Sequence, residues 1–204
     1  MACPRQSDWA LVKKFGRYLK QHPRQVLRFE WQDAPDKIDV YVDTDYAGCR
    51  RTRKSTSGGI VLHGKHMIKG WASIQTVVAL SSGEAEYYGV VRGACESIGI
   101  RSIAEDMGSN VQIVLHTDSS AAKGIASRKG IGKVKHLDTR TLWVQDKVHD
   151  LTLRIKKVPS DNNPADLLTK YLSGPRMRAL LVQLPVLGQE GRHPLAPQLQ
   201  GLQQ

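Results

Sequence analysis

From residue 37 to residue 73 the chain carries three strand-patterned segments in succession, separated by polar stretches. Ile38, Val40 and Val42 alternate with Asp39, Tyr41 and Asp43, the period of two that sets one face of a strand against a core. Ile60, Val61 and Leu62 form a second compact apolar run, His63-Gly64-Lys65 reads as a tight turn, and Met67 to Ser73 supplies a third segment. Three such segments predict an antiparallel meander. The pattern then changes. Ser81-x-x-Glu84 fits a capping box, and helical spacing of Ala85, Tyr88, Val91, Cys95, Ile98 and Ile103 runs to about Met107. Val111 to His116 reads as a strand and Ser119 to Ser127 as a short helix. His136 to Val148 reads as a further helix, Leu151 to Val158 as a strand, and Asn163 to Leu172 as a last short helix. A meander followed by alternating helix and strand predicts an α/β domain built on a mixed sheet with helices on its faces.

On either side of this block the signals are weaker. Trp9, Leu11, Val12, Phe15 and Leu19 recur at helical spacing until Gln21-His22-Pro23 stops the helix, and Leu27, Phe29 and Trp31 alternate as a short extended piece. After Gly174 the chain turns rich in Pro, Gln and Leu and reads as a disordered tail, above all from Pro194 to Gln204. The expected division is therefore 1–36, 37–172 and 173–204. Apolar runs are too short to span a bilayer, so no membrane partner is expected. Cys3, Cys49 and Cys95 show neither an even count nor a C-x-x-C spacing, which argues against a disulfide framework or a zinc site. Thirty Lys and Arg against nineteen Asp and Glu give a net charge of +11, a balance that favours a polyanionic partner.

Four acids fall where the layout can bring them together: Asp43 at a strand end, Glu86 near the start of the long helix, Asp118 just after a strand, and Asp166 in the first turn of the last helix. Carboxylates gathered at one sheet edge repel each other unless divalent cations neutralise them, and oxygen-only donors suit Mg²⁺ or Mn²⁺. Taken singly, each reads as readily as a helix cap or a partner of the helix dipole. Spacing also leaves two choices open: Asp45 shares a strand face with Asp43, and Glu84 lies two residues from Glu86.

Around these acids stand recognisable words. They are Val42-Asp43-Thr44-Asp45-Tyr46-Ala47-Gly48, Thr52-Arg53-Lys54-Ser55-Thr56-Ser57-Gly58 and Ala79-Leu80-Ser81-Ser82-Gly83-Glu84-Ala85-Glu86-Tyr87. Then come His116-Thr117-Asp118-Ser119-Ser120-Ala121-Ala122, Lys135-His136-Leu137-Asp138-Thr139-Arg140 and Pro164-Ala165-Asp166-Leu167-Leu168-Thr169-Lys170. In this order they resemble the ribonuclease H region at the C-terminal end of Ty1/copia retrotransposon polyproteins, over about residues 37 to 172. Asp8 to Lys14 and Arg17 to Lys20 look like the last helix of the reverse transcriptase that precedes it, so residues 1–36 would be its remnant. The resemblance implies a ribonuclease H-like fold, with a five-stranded mixed sheet and helices on both faces. It implies two Mg²⁺ or Mn²⁺ ions held by Asp43, Glu86, Asp118 and Asp166, an RNA–DNA hybrid as substrate, and the reverse transcriptase portion of the same polyprotein as partner. It also implies a setting in a cytoplasmic virus-like particle or the nucleus. The chain departs from other ribonuclease H lineages in having no histidine within Val158 to Asn163. Gly89 inside the long helix costs about 1 kcal/mol relative to Ala and reads as drift.

Arg50, Arg51, Arg53 and Lys54, with the hydroxyl of Ser55, form one basic loop, and Arg128, Lys129, Lys133 and Lys135 form another. Both are candidate phosphate contacts. His116 and His136 read as structural partners, and Trp71 and Trp143 as core. A rival assignment keeps the domain and its charge but makes it a catalytically silent nucleic-acid-binding module. An integrase-like assignment is disfavoured, because Glu86 precedes Asp118 in the chain.

Overall fold

The computed structural model describes residues 4–132, 134–191 and 193–196. Chain contacts separate two compact units, one from Phe29 to Pro185 and the other from Met1–Arg28 together with Val186–Gln204.

In the larger unit, β2 (Lys37–Asp45), β3 (Thr56–His63) and β4 (His66–Ile74) pair antiparallel as the meander predicts. Gly64 takes the tight turn between β3 and β4 at φ 60°, a left-handed conformation that glycine accepts without a Cβ clash. The chain then crosses through the 25-residue α2 (Ser82–Asp106) to β5 (Gln112–Thr117), which lies parallel to β2. Next come α3 (Ser120–Ala126), α4 (Trp143–His149) and β6 (Leu153–Lys157), with β6 parallel to β5. The sheet order is β4-β3-β2-β5-β6, the five-stranded mixed sheet that the motifs imply.

β2 is central, and Val42, Asp43 and Thr44 are all buried. Successive strand residues face opposite ways, so both faces of the sheet are covered at this point. On one face lies α2, approaching closely because Gly89 and Gly93 carry no side chain. A Cβ at Gly89 would stand 2.6 Å from Thr44 Oγ1, and one at Gly93 2.6 Å from Val42 Cγ1. Gly89 is therefore a packing requirement and not drift. On the other face lies a 3-10 turn, Pro164–Leu168, which comes down over Gly58, where a Cβ would stand 2.9 Å from Leu168 Cβ. The core beneath α2 is Val40, Val42, Val61, Tyr87, Val90, Ala94, Ile113 and Leu115, with Ile125, Val144 and Leu153 from α3, α4 and β6.

Several expectations need correction. The last short helix, read over Asn163 to Leu172, is the 3-10 turn, held down onto the sheet by Asn163 at Val42 O and by the close approach of Leu168 to Gly58. The tail expected to be disordered from residue 173 is ordered over much of its length. It forms α5 (Gly174–Leu181), whose Leu180 is fully buried, and β7 (Val186–Gln189). Residues 197–204 of that tail lie outside the described residues. The extended piece at Leu27, Phe29 and Trp31 is not one strand. β1 is Arg24–Leu27, Phe29 packs edge-on against His66, and Trp31 is exposed. Residues 30–35 belong with the meander: Gln32 bonds to His63 O at 2.9 Å and accepts from Lys65 N at 2.8 Å, and His63 pairs with Pro35 O at 3.1 Å.

In the smaller unit, α1 (Gln6–Gln21) buries none of its residues, and β1 pairs antiparallel with β7. Among the described residues no helix is long and apolar enough to cross a membrane.

Candidate active site

The four acids reach the site from four elements. Asp43 stands near the end of β2, 1% exposed, because the turn Pro164–Leu168 covers it. Glu86 lies in the second turn of α2. The helix start is fixed by Ser81, whose hydroxyl accepts from Glu84 N at 3.2 Å. Asp118 follows β5. It is not the cap of α3, because Ser119 does that work, accepting from Ala122 N at 3.1 Å. Nor is Asp166 a cap: Asn163 opens its turn, accepting from Ala165 N at 3.2 Å. Neither acid is therefore spent as a helix cap.

Carboxylate oxygens of Asp43, Glu86 and Asp118 lie within 4.8 Å of one another. The electrostatics follow from that crowding. Burial first, then the charges of Asp43 and Asp118, push the Glu86 carboxyl up to about 8, and Glu86 Oε2 is buried with no hydrogen-bond partner. Burial also raises Asp43, opposed by the Thr169 hydroxyl and the Lys170 ammonium. Asp166 adjoins this trio through Lys170, whose Nζ lies 2.7 Å from Asp166 Oδ1 and 3.0 Å from Asp43 Oδ1. An orphaned buried carboxylate oxygen beside two further carboxylates, all hard oxygen donors, fits a divalent cation of the Mg²⁺ or Mn²⁺ kind.

The two open choices separate on geometry. Glu84 is saturated locally: it accepts from Leu80 N at 2.7 Å and the Tyr88 hydroxyl at 3.0 Å, and His136 Nε2 lies 3.1 Å away. Asp45 sits outside the trio, with its carboxylate folded against Gly48, where a Cβ would stand 1.7 Å from Asp45 Oδ2. His116 pairs with Asp39 at 2.8 Å and stacks on Tyr41, while Trp71 and Trp143 pack against the core.

The basic loops divide. Arg50, Arg51 and Arg53 are exposed and Lys54 is half-buried. Ser55 is fully buried and accepts from Ala47 N at 3.0 Å, so its hydroxyl shapes the loop and cannot meet a bound backbone. Lys129 and Lys135 are exposed, whereas Arg128 folds back, donating to the Ile131 carbonyl with its guanidinium against Gly132. Lys133 lies outside the described residues.

Four residues at the site were not singled out from sequence. Asn163 is fully buried, and its Nδ2 donates to Val42 O at 2.9 Å, tying the Asp166 turn to β2 beside Asp43. Thr169 and Lys170 bind Asp43 from the end of that turn. Arg176, on α5, reaches Asp166 Oδ2 at 3.3 Å. The sequence signals were the four-residue spacing of Asp166 and Lys170 and the place of Thr169 and Lys170 within the Pro164 to Lys170 motif.

No family model matches the chain. Its sequence is 31% identical over 171 residues to the retrovirus-related Pol polyprotein from transposon TNT 1-94 of Nicotiana tabacum, a match covering 83% of this chain and 13% of that protein. It is 29% identical over 176 residues to the corresponding polyprotein from transposon RE2 of Arabidopsis thaliana, covering 85% of this chain and 12% of that protein. The chain thus spans about an eighth of the length of these relatives. Among solved structures, LC11-RNase H1 in complex with an RNA/DNA hybrid has a TM-score of 0.46 at 16% identity, covering 65% of this chain and 93% of that one. The N-terminal RNase H domain of rv2228c from Mycobacterium tuberculosis has a TM-score of 0.43 at 21% identity, covering 72% and 96%. The chain is thus similar over most of its length to copia-type transposon Pol polyproteins, and its five-stranded mixed sheet in the order β4-β3-β2-β5-β6 is that of the α/β fold its motifs imply.

Proposed function

We propose that the chain hydrolyses the RNA strand of RNA–DNA hybrids in a metal-dependent reaction, as the ribonuclease H portion of a retrotransposon polyprotein. The observation that carries this reading is the convergence of Asp43, Glu86 and Asp118, with Glu86 Oε2 buried and unpartnered. Divalent ions bound there would supply a water of lowered pKa and offset charge on the departing oxygen of a phosphodiester. The protein's own share is placement. β2 and β5 are parallel neighbours, so Asp43 and Asp118 emerge from the same edge of the sheet. The N-cap of α2 sets the height of Glu86, and Asn163 holds the Asp166 turn to β2.

Arg50, Arg51, Arg53, Lys129 and Lys135 give exposed positive charge that suits a phosphate backbone, which sets position without reading sequence. Discrimination for a hybrid would come from its shape and its 2′-hydroxyls. The polyprotein setting is supported by α1. Trp9, Leu11, Phe15 and Leu19 of this helix are exposed, as suits a helix that packs on the preceding polymerase portion.

The test is cleavage of a labelled RNA–DNA hybrid with Mg²⁺ and with EDTA, beside duplex DNA and duplex RNA. Cutting of the RNA strand in the hybrid alone, and only with metal, is the expected result. Tight binding without cutting at any metal concentration would leave a silent binding module.

A further inference from the structure

We propose that Lys170 is a built-in counter-cation for the Asp43–Asp166 half of the site, so that metal loading is stepwise. This rests on the reading that the carboxylates hold divalent ions. The Asp43–Glu86–Asp118 half takes an ion first, and a second ion enters beside Asp166 only by displacing the lysine ammonium.

The two halves differ in how their charge is already met. Lys170 Nζ bridges Asp43 Oδ1 and Asp166 Oδ1 at 3.0 and 2.7 Å. The other oxygen of Asp43 accepts from the Thr169 hydroxyl. The other oxygen of Asp166 faces Arg176 Nη2 at 3.3 Å. That guanidinium is itself fixed by the carbonyls of Asp161 and Ser160 at 2.6 and 2.8 Å. Asp166 therefore has a cation on each oxygen. Among the described residues no ion pair reaches Glu86 or Asp118, and Glu86 Oε2 has no partner. At Glu86 and Asp118 a divalent ion meets no paired cation, and only at Asp43 does it share a carboxylate with Lys170.

Lys170 is also built to leave. Its backbone is anchored, with N donating to Asp166 O at 3.0 Å. Its side chain is 38% exposed, while the Asp43 and Asp166 side chains are 1% and 6% exposed. The ammonium thus enters from the solvent side on a flexible stem and can swing back out, whereas the carboxylates cannot.

The test is a Mn²⁺ titration of the full 204-residue chain, followed by electron paramagnetic resonance, on the parent, Lys170→Met and Lys170→Arg. The parent should bind one ion tightly and one weakly. Lys170→Met should tighten the weak step by roughly fivefold, the size of one partly exposed ion pair, and the tight step, which shares only Asp43 with the lysine, by less. Lys170→Arg should keep the weak step weak. In the parent itself, the ¹⁵N signal of the Lys170 ammonium should persist through the first equivalent of Mg²⁺ and change with the second, a readout that needs no variant to fold. Identical affinities in all three proteins, or an ammonium signal that changes with the first equivalent, would overturn the role of Lys170 while leaving the metal site standing. Failure of the parent to bind any ion would overturn both.

Discussion

Glu84 and Glu86 are two residues apart, and the fold gives them opposite work. Glu84 ties down the helix start and the His136 loop, while Glu86 is pressed among other carboxylates with an oxygen left unpaired. Helical geometry says only that the two point apart. Which of them meets Asp43 depends on where α2 is docked, so sequence spacing left the choice to the surrounding motif. The same holds for Asp43 and Asp45, and Asp45→Ala should reduce hybrid cleavage far less than Asp43→Ala, a ranking that parallel rate measurements check. Crowding at Glu86 also has a thermodynamic signature. Folded and metal-free, its carboxyl keeps its proton up to about pH 8, against 4.5 for the free side chain. Between those values the folded chain binds more protons than the unfolded one, so its stability falls as pH rises. In EDTA, Glu86→Gln should therefore melt higher than the parent at pH 8, by up to a few kcal/mol, with the gap closing towards pH 4. Thermal melts across that range provide the check. A gap that widens on acidification would contradict the burial and charge assigned to this residue.

At the scale of elements, the strand alternation of β2 and the cap of α2 were plain in the sequence because both are local patterns. Three features were not. β7 is four residues long and pairs with β1 from far along the chain, so no local period announces it. The Asp166 segment has helical composition but folds as a 3-10 turn, because Asn163 and Gly58 draw it down onto the sheet. Ser55 and Arg128 have the residue types of phosphate contacts, yet each is used inside its own loop. The glycines of α2 give the sharpest test of how the helix docks. Gly93→Ala would place a methyl 2.6 Å from Val42 Cγ1 and 3.2 Å from Leu115 Cδ1, and should destabilise by about 1–3 kcal/mol through overpacking. Gly99, in the same helix, has nothing within 4 Å of an added Cβ, and Gly99→Ala should stabilise by about 0.5–1 kcal/mol. Chemical denaturation of the two variants should give shifts of opposite sign. Shifts of the same sign would mean that α2 does not sit on β2 as described.

For the whole molecule, net charge +11 indicated a polyanionic partner without saying where it lies, since charge counts carry no geometry. Within the two loops proposed to meet it, Arg50, Arg51 and Arg53 are exposed in one and Lys129 and Lys135 in the other. Neutralising Lys129, Lys133 and Lys135 together should weaken hybrid binding about equally for all sequences. The slope of log affinity against log salt should flatten by up to about 0.9 per lost contact, with turnover at saturating hybrid preserved. An unchanged slope would place the nucleic acid against residues 50–54 alone. The central claim, that the acids at the sheet edge perform the chemistry, is tested most directly by single-turnover cleavage of a labelled RNA–DNA hybrid in Mg²⁺ by the parent and by Asp118→Asn. Asp118 caps no helix, so its loss should spare the fold. The account predicts an RNA strand cut by the parent, and a variant that binds the hybrid as well but cuts it at least roughly 100-fold more slowly. An Asp118→Asn protein that cuts at the parental rate would contradict it.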